Sequence, residues 1–197
     1  MDGADMDSER LLEIEERLAL LEGFPRRAYG KYRGVVVDNQ GDPANAGRIK
    51  VRVPEIHGDD AAWAWPCVPY AGPQVGWFMM PPLNAGVWVE FEGGDPGKPI
   101  WVGCFWGSNE LPSDAQAPDV RMLQTETAQI RVDDAAGEIL VKNDSDAQVT
   151  WGSDVVVEAG GATHSVGSGG VVSESSPGKI EVGSSGVSVN SGAFKVI

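Results

Sequence analysis

From Ala128 onward, short Val/Ile segments recur every eight or nine residues: Ile130–Val132, Ile139–Val141, Val149–Trp151, Val155–Val157, Val171–Val172, Ile180–Val182, Val187–Val189 and Phe194–Ile197. Turn-forming residues separate them, at Ala136-Gly137, Asn143-Asp144, Gly160-Gly161, Gly167–Gly170, Pro177-Gly178 and Ser184–Gly186. This is a quasi-repeat of very short strands. Eleven of the 14 serines lie beyond residue 144 and no Leu follows Leu140, so a single copy has little to bury. A monomeric sandwich of this composition would have a thin core. Packing strands against copies of themselves supplies the missing burial, so residues 128–197 read as an obligate oligomeric β-structure. A Ser/Gly-rich flexible tail is the alternative, and regular Val/Ile pairs argue against it.

A second organised region precedes it. Over residues 87–92, Val87, Val89 and Phe91 alternate with Trp88, Glu90 and Glu92, the period of a half-buried strand. Gly93-Gly94-Asp95-Pro96-Gly97 supplies turn chemistry, and Ile100–Phe105 returns, so the unit reads as a β-hairpin. Upstream, Lys31–Asp38 reads as a strand running into an Asn39–Pro43 turn. Arg48–Val53 alternates cleanly, with Ile49, Val51 and Val53 inward and Arg48, Lys50 and Arg52 outward. Trp63–Val68 is a third strand. Five strands, with a Pro- and Gly-rich excursion between the third and fourth, predict a small closed barrel over residues 29–108. Six of the seven tryptophans lie between Trp63 and Trp106, which concentrates the expected core there. Residues 109–127, beginning NELPSDAQAPDV, read as a linker. Residues 1–28 are a lead-in with a helix over 7–22, whose Leu11, Ile14, Leu18 and Leu21 fall at three- and four-residue spacing. Such a helix is marginal alone and docks on its own domain, on copies of itself or on a partner.

Charge narrows the function. Fifteen basic against 29 acidic residues give −14, which argues against nucleic acid and against anionic lipid. No apolar run is long enough to span a bilayer. The start, MDGADMDSER, lacks the basic and apolar regions of a signal peptide, so synthesis in a cytoplasm is expected. Cys67 and Cys104 read as buried free thiols. His57, in Glu55–Asp60, reads as a solvated loop residue with no nucleophile motif beside it. Glu90 and Glu92 read as an outward face, facing the cations of Arg48–Arg52. Asp133-Asp134 and Asp144/Asp146 lack the spacing of a calcium loop and read as turns. No catalytic, cofactor or metal site is expected.

Three stretches resemble the central spike proteins of contractile injection machines: phage baseplate assembly protein V, the tail-spike hub and the C-terminal part of type VI VgrG proteins. One is Tyr32–Asn39 followed by Gly47–Pro54, similar to the family's "G-x-V … G-R-V-x-V-x-x-P" start. Another, the most specific, is Gly76–Phe91 followed by Gly94-Asp95-Pro96-Gly97-Lys98-Pro99-Ile100-Trp101-Val102-Gly103. The last is Ile130–Glu138, similar to the "F-D-D-x-x-G-x-E" segment that opens the family's β-prism. The resemblance implies an all-β chain: an OB-fold barrel, then a trimeric intertwined β-prism or β-helix needle over residues 128–197, behind a short N-terminal helix. It implies a homotrimer joining a separate hub protein at the tube end to a small PAAR-like tip protein, among other baseplate components. The target membrane is met only during puncture, and the trimer is assembled into a phage-tail-like particle. Candidate hub or inter-subunit contacts are Arg48, Lys50, Arg52, Leu11, Ile14 and Leu18. Candidate tip contacts are Phe194, Val196 and Ile197. The chain departs from some relatives: it has no His-x-His pair for a metal tip, and the linker is too short for a lysozyme domain. An OB-fold carbohydrate-binding module on an oligomeric stalk is the rival reading.

Overall fold

The structure is a computed structural model. It describes Arg10, Glu13, Ile14, residues 27–115 and residues 117–196, with Lys195 and Val196 described by backbone alone. Of the N-terminal helix, Arg10, Glu13 and Ile14 have helical backbone and Ile14 is exposed; Leu11 and Leu18 lie outside the described residues. Two compact units divide the chain, Met1–Asn109 and Glu110–Ile197.

The first unit is a closed five-stranded barrel. Its strands are β1 (Tyr32–Asp38), β2 (Ile49–Arg52), β3 (Ala61–Pro66), β6 (Gly86–Phe91) and β7 (Pro99–Phe105), in the order β1-β2-β3-β7-β6. β1 pairs antiparallel with both β2 and β6, while β3 meets β7 in parallel and closes the ring. Alternation decides what is inside. Val36, Ile49, Val51, Val53, Ala64, Val87 and Val89 are completely buried, with Phe91 and Trp101 beside them. Full burial of one such aliphatic side chain is worth about 1.5–3 kcal/mol. At the β6–β7 turn, Gly94 has φ +76°, and a Cβ there would strike the Tyr29 ring.

Several expectations need correction here. Of the barrel's tryptophans only Trp101 is in the core; Trp65, Trp77 and Trp106 are more than half exposed, because they fall on outward positions or in the excursion. Cys67 and Cys104 are free but exposed: Cys67 follows the end of β3, and Cys104 lies near the end of β7. His57 is not a solvated loop residue. It ends a single helical turn, α1 (Pro54–His57), and its Nε2 lies 2.8 Å from the Pro96 carbonyl. Its ring meets Phe91 edge-on, which ties α1 to the hairpin turn. Glu90 does not face β2, because β1 lies between them; it pairs with Lys31 at 2.5 Å. The excursion contains a small hairpin, β4 (Ala71–Gly72) and β5 (Val75–Gly76).

The second unit is one ten-stranded antiparallel sheet that meanders strictly in chain order. Its strands are β8 (Val120–Gln124), β9 (Ala128–Asp133), β10 (Glu138–Asn143), β11 (Gln148–Trp151), β12 (Val155–Ala159), β13 (Ala162–Gly167), β14 (Gly170–Ser175), β15 (Gly178–Gly183), β16 (Gly186–Val189) and β17 (Phe194–Val196). Two were not expected. β8 lies within the expected 109–127 linker and pairs with β9 through Val120–Gln124, so the unpaired connection is shorter. β13, reading ATHSVG, pairs with both β12 and β14. Among the described residues of this unit only Gln129 is buried.

Candidate interaction surfaces

The sheet's register sorts its side chains onto two faces, because directly paired residues share a face and residues two apart on a strand share it too. One row runs Val132, Ile139, Trp151, Val155, Val166, Val171, Val182, Val187 across β9–β16. The row beside it runs Ile130, Val141, Val149, Val157, His164, Ser173, Ile180, Val189, and ends at Phe194 of β17. The result is an apolar stripe two side chains wide along nearly the whole sheet. Its members stay open: Ile130 is 46 % exposed, Ile180 49 % and Phe194 62 %.

The opposite face carries the charged side chains, with Leu140, Val156 and Val172 among them. Arg131 pairs with Asp133 and Glu138, Lys179 with Glu181 and Glu174, and Gln148 bonds Glu158. The bond from Glu181 and its charge raise the Lys179 pKa, with Glu174 adding a smaller part. An antiparallel sheet with one such face in water normally packs its other face on a core. Pro- and Leu-poor, Val-rich segments make both faces possible locally; only the ten-strand register shows that most of the Val/Ile positions fall into phase, with Val156 and Val172 on the other face.

The barrel presents two further surfaces. In the excursion, Tyr70, Val75, Trp77, Phe78, Met79 and Leu83 are all exposed, Phe78 by 77 %. A cleft runs between this segment and Asn45–Gly47, with Pro66 and Trp101 among its walls. Isolated exposed apolar residues are ordinary, whereas a contiguous set marks a contact surface. No periodicity announced it, because the segment is irregular.

The other is the outer side of β2 and β3. Of the three cations expected to face outward together, Arg48 is already engaged. Asp42 accepts hydrogen bonds from the backbone N–H groups of Ala44, Ala46 and Arg48 and from Arg48 Nε, and Arg48 Nη2 lies 2.8 Å from its Oδ1. Loss of hydration pushes the Asp42 pKa up, but these donors outweigh it and hold the carboxyl well below its usual range. The Arg48 guanidinium also lies over the rings of Trp63 and Trp65. Lys50 sits opposite Trp63, and Arg52 opposite Ala61; Arg52 is exposed. Asp38 accepts from the Gln40 and Gly41 amides, which lower its pKa, with Lys50 adding a smaller electrostatic part.

The structure therefore does not bring the predicted contacts into one site. Arg48, Lys50 and Arg52 share the barrel's outer wall, Ile14 is exposed, and Phe194 ends the apolar row. The side chain of Val196 and all of Ile197 lie outside the described residues. Within a single chain, no three His, Cys, Asp or Glu among the described residues are placed to hold a metal. No helix among them is long and apolar enough to cross a membrane. No curated protein matches the chain. Residues 32–106, which span all five barrel strands, match the family model for the type VI secretion system/phage-baseplate injector OB domain, and this similarity supports a structural role in a phage-tail-like injection baseplate.

Proposed function

We propose that this protein is the spike of a contractile injection particle, a homotrimer whose three ten-stranded sheets turn their apolar faces toward one axis and form a needle. The observation that carries this is the two-row stripe, apolar except at His164 and Ser173, on a single-layer sheet. Three copies suit its width. Two sheets stacked on a stripe this narrow leave both flanks of the core wet, whereas three converging faces cover one another.

The work of such a spike is mechanical. Contraction of a sheath drives the tube, and the needle concentrates the force on a small area of envelope. Ladder bonds along ten strands resist local unfolding, and the ion pairs of the polar face keep the outside solvated. No catalytic step is assigned to this chain. The barrel joins the needle to a separate hub protein, with Lys50, Arg52 and the Trp77–Met79 segment as contact candidates. Phe194 and the last strand are offered to a small PAAR-like tip protein.

Light scattering of the full-length protein tests the reading. A mass near three times 20.9 kDa is expected, and a chain ending at Pro118 should lose that mass. A monomer, or a truncated chain that keeps a full-strength trimer, overturns it. The exposed Trp65 beside Arg48 favours one alternative, glycan binding by the barrel. Trp65→Ala should then abolish a measurable oligosaccharide affinity; without any such affinity the alternative falls.

A further inference from the structure

The helix expected over residues 7–22 has one apolar row, and its spacing is that of a coiled-coil seam. Leu11, Ile14, Leu18 and Leu21 follow one another at alternating steps of three and four residues, which are the a and d positions of two heptads. Leu12 and Leu20 fall beside this row and belong to no such series. Within one chain the seam is open. Arg10, Glu13 and Ile14 have helical backbone, and the Ile14 side chain, at a d position, is 54 % exposed. That argues against docking of the row on the chain's own barrel. Leu11, Leu18 and Leu21 lie outside the described residues and share the row by spacing alone.

We infer that the N-terminal segments of three copies zip into a short parallel coiled coil, the a/d row of each facing the same row of the next copy. The inference rests on the trimeric reading above, since a threefold axis makes the helices parallel and sets equal residues at equal height. Charge argues for a copy over a foreign partner. The segment 7–22 holds only two cations, Arg10 and Arg17, and both fall at g positions. In a parallel coil a g residue faces the following e residue of the neighbouring helix. Those e residues are Glu15 and Glu22, so both cations meet carboxylates of the next copy. Glu9, Glu13 and Glu16 fall at the outer positions f, c and f. Exposed pairs of this kind add little stability, but they set register and reject other partners. Leu11 at a with Ile14 at d also departs from the β-branched a and Leu d of two-stranded coils and suits higher ones. Two heptads are marginal for isolated helices. Chains already joined through their sheets supply the local concentration that such a coil needs. Leu11, Ile14 and Leu18 are then inter-subunit contacts, not hub contacts.

The test is disulfide trapping in the full-length protein, after Cys67 and Cys104, both exposed, are changed to Ser. Light scattering reports the mass of the same samples. Ile14→Cys and Leu18→Cys, on the seam, should give covalent dimers under mild oxidation, because two of the three thiols in a trimer can pair. Glu16→Cys, at an f position between them, should give none. Adding Arg10→Glu and Arg17→Glu to Leu18→Cys should lose the dimer, and adding Glu15→Arg and Glu22→Arg as well should restore it. A trimer in which neither seam variant is trapped overturns the inference and leaves the spike reading standing. Trapping of Glu16→Cys as fast as on the seam also overturns it, because a loose tail rather than a coil would then join the copies. So does a charge reversal that leaves trapping unchanged, since Arg10 and Arg17 would not face the next copy. A protein that is not a trimer removes both readings.

Discussion

The barrel and the sheet solve the same problem in opposite ways. The barrel wraps five strands around seven completely buried residues, all supplied by its own chain. The sheet has twice as many strands, yet among its described residues it buries a single glutamine. Alternation does not account for this, since both halves alternate Val and Ile with polar residues. Closure does: β3 meets β7 and removes the barrel's edges, whereas the meander runs from β8 to β17 and never returns. On the proposed trimeric reading, the barrel's stability is a property of one chain and the sheet's a property of an assembly.

If so, the same charge placed on the two faces of the sheet should act very differently, and this is the largest effect expected. Ile180→Asp on the apolar row should abolish the trimer while the barrel's near-ultraviolet tryptophan signal persists. Ser188→Asp on the polar face should leave the mass unchanged. Equal effects from the two would end the distinction between the faces.

The converse applies to the barrel. Ile49→Ala removes a fully buried side chain from β2 and should lower barrel stability by about 2–5 kcal/mol in denaturant melts. The full-length mass should not change. A loss of assembly would mean that the barrel, too, depends on its copies.

Backbone geometry gives a smaller effect within the sheet. Gly170 opens β14 at φ +121°, and a Cβ there would run into the Val182 carbonyl on β15. Gly170→Ala should cost about 1–3 kcal/mol and lower the melting temperature of the sheet, with the barrel transition unmoved. Gly169→Ala, where a Cβ meets open space, is the comparison that separates strain from simple loss of glycine.

Smallest is the pH dependence of the β1–β2 loop. The folded Asp42 carboxyl titrates below its unfolded value of about 3.9. Its contribution is therefore fully present above the unfolded value and is lost as pH falls through the folded one. The stability gap between wild type and Asp42→Asn should be constant above about pH 5 and shrink steadily in more acid solution. A gap that stays constant down to pH 2 would show that the charge of Asp42 is not what orders the loop.

How far the sequence led differs between these regions for physical reasons. Arg48–Val53 was legible because every second residue is a β-branched aliphatic and every other one a cation. The β6–β7 hairpin was legible from its Gly-Gly-Asp-Pro-Gly turn. β13 was not, because Thr163, His164 and Ser165 hide the alternation and only Val166 is a large aliphatic. β8 was not, because it follows a Pro-containing polar run and its Met122-Leu123 pair is adjacent rather than alternating. Tryptophan count misled about the core, since an aromatic on an outward strand position packs laterally, as Trp88 does against Phe105 under Arg33. The engagement of Arg48 by Asp42 depends on a loop closing over six residues, which no period encodes.

Strict chain order has one more consequence. Strands in a sheet are spaced by about 4.7–4.9 Å, so ten of them span roughly 45 Å. Each strand pairs only with its sequence neighbours, so one hairpin can be inserted or deleted at a Gly-containing turn without altering any other pairing. Two strands at a time restore the direction of the chain and leave both apolar rows in phase. The meander is thus a ruler graduated in steps of about 10 Å. Its length can change over generations by duplication or loss of hairpins, while the barrel's own pairings stay the same.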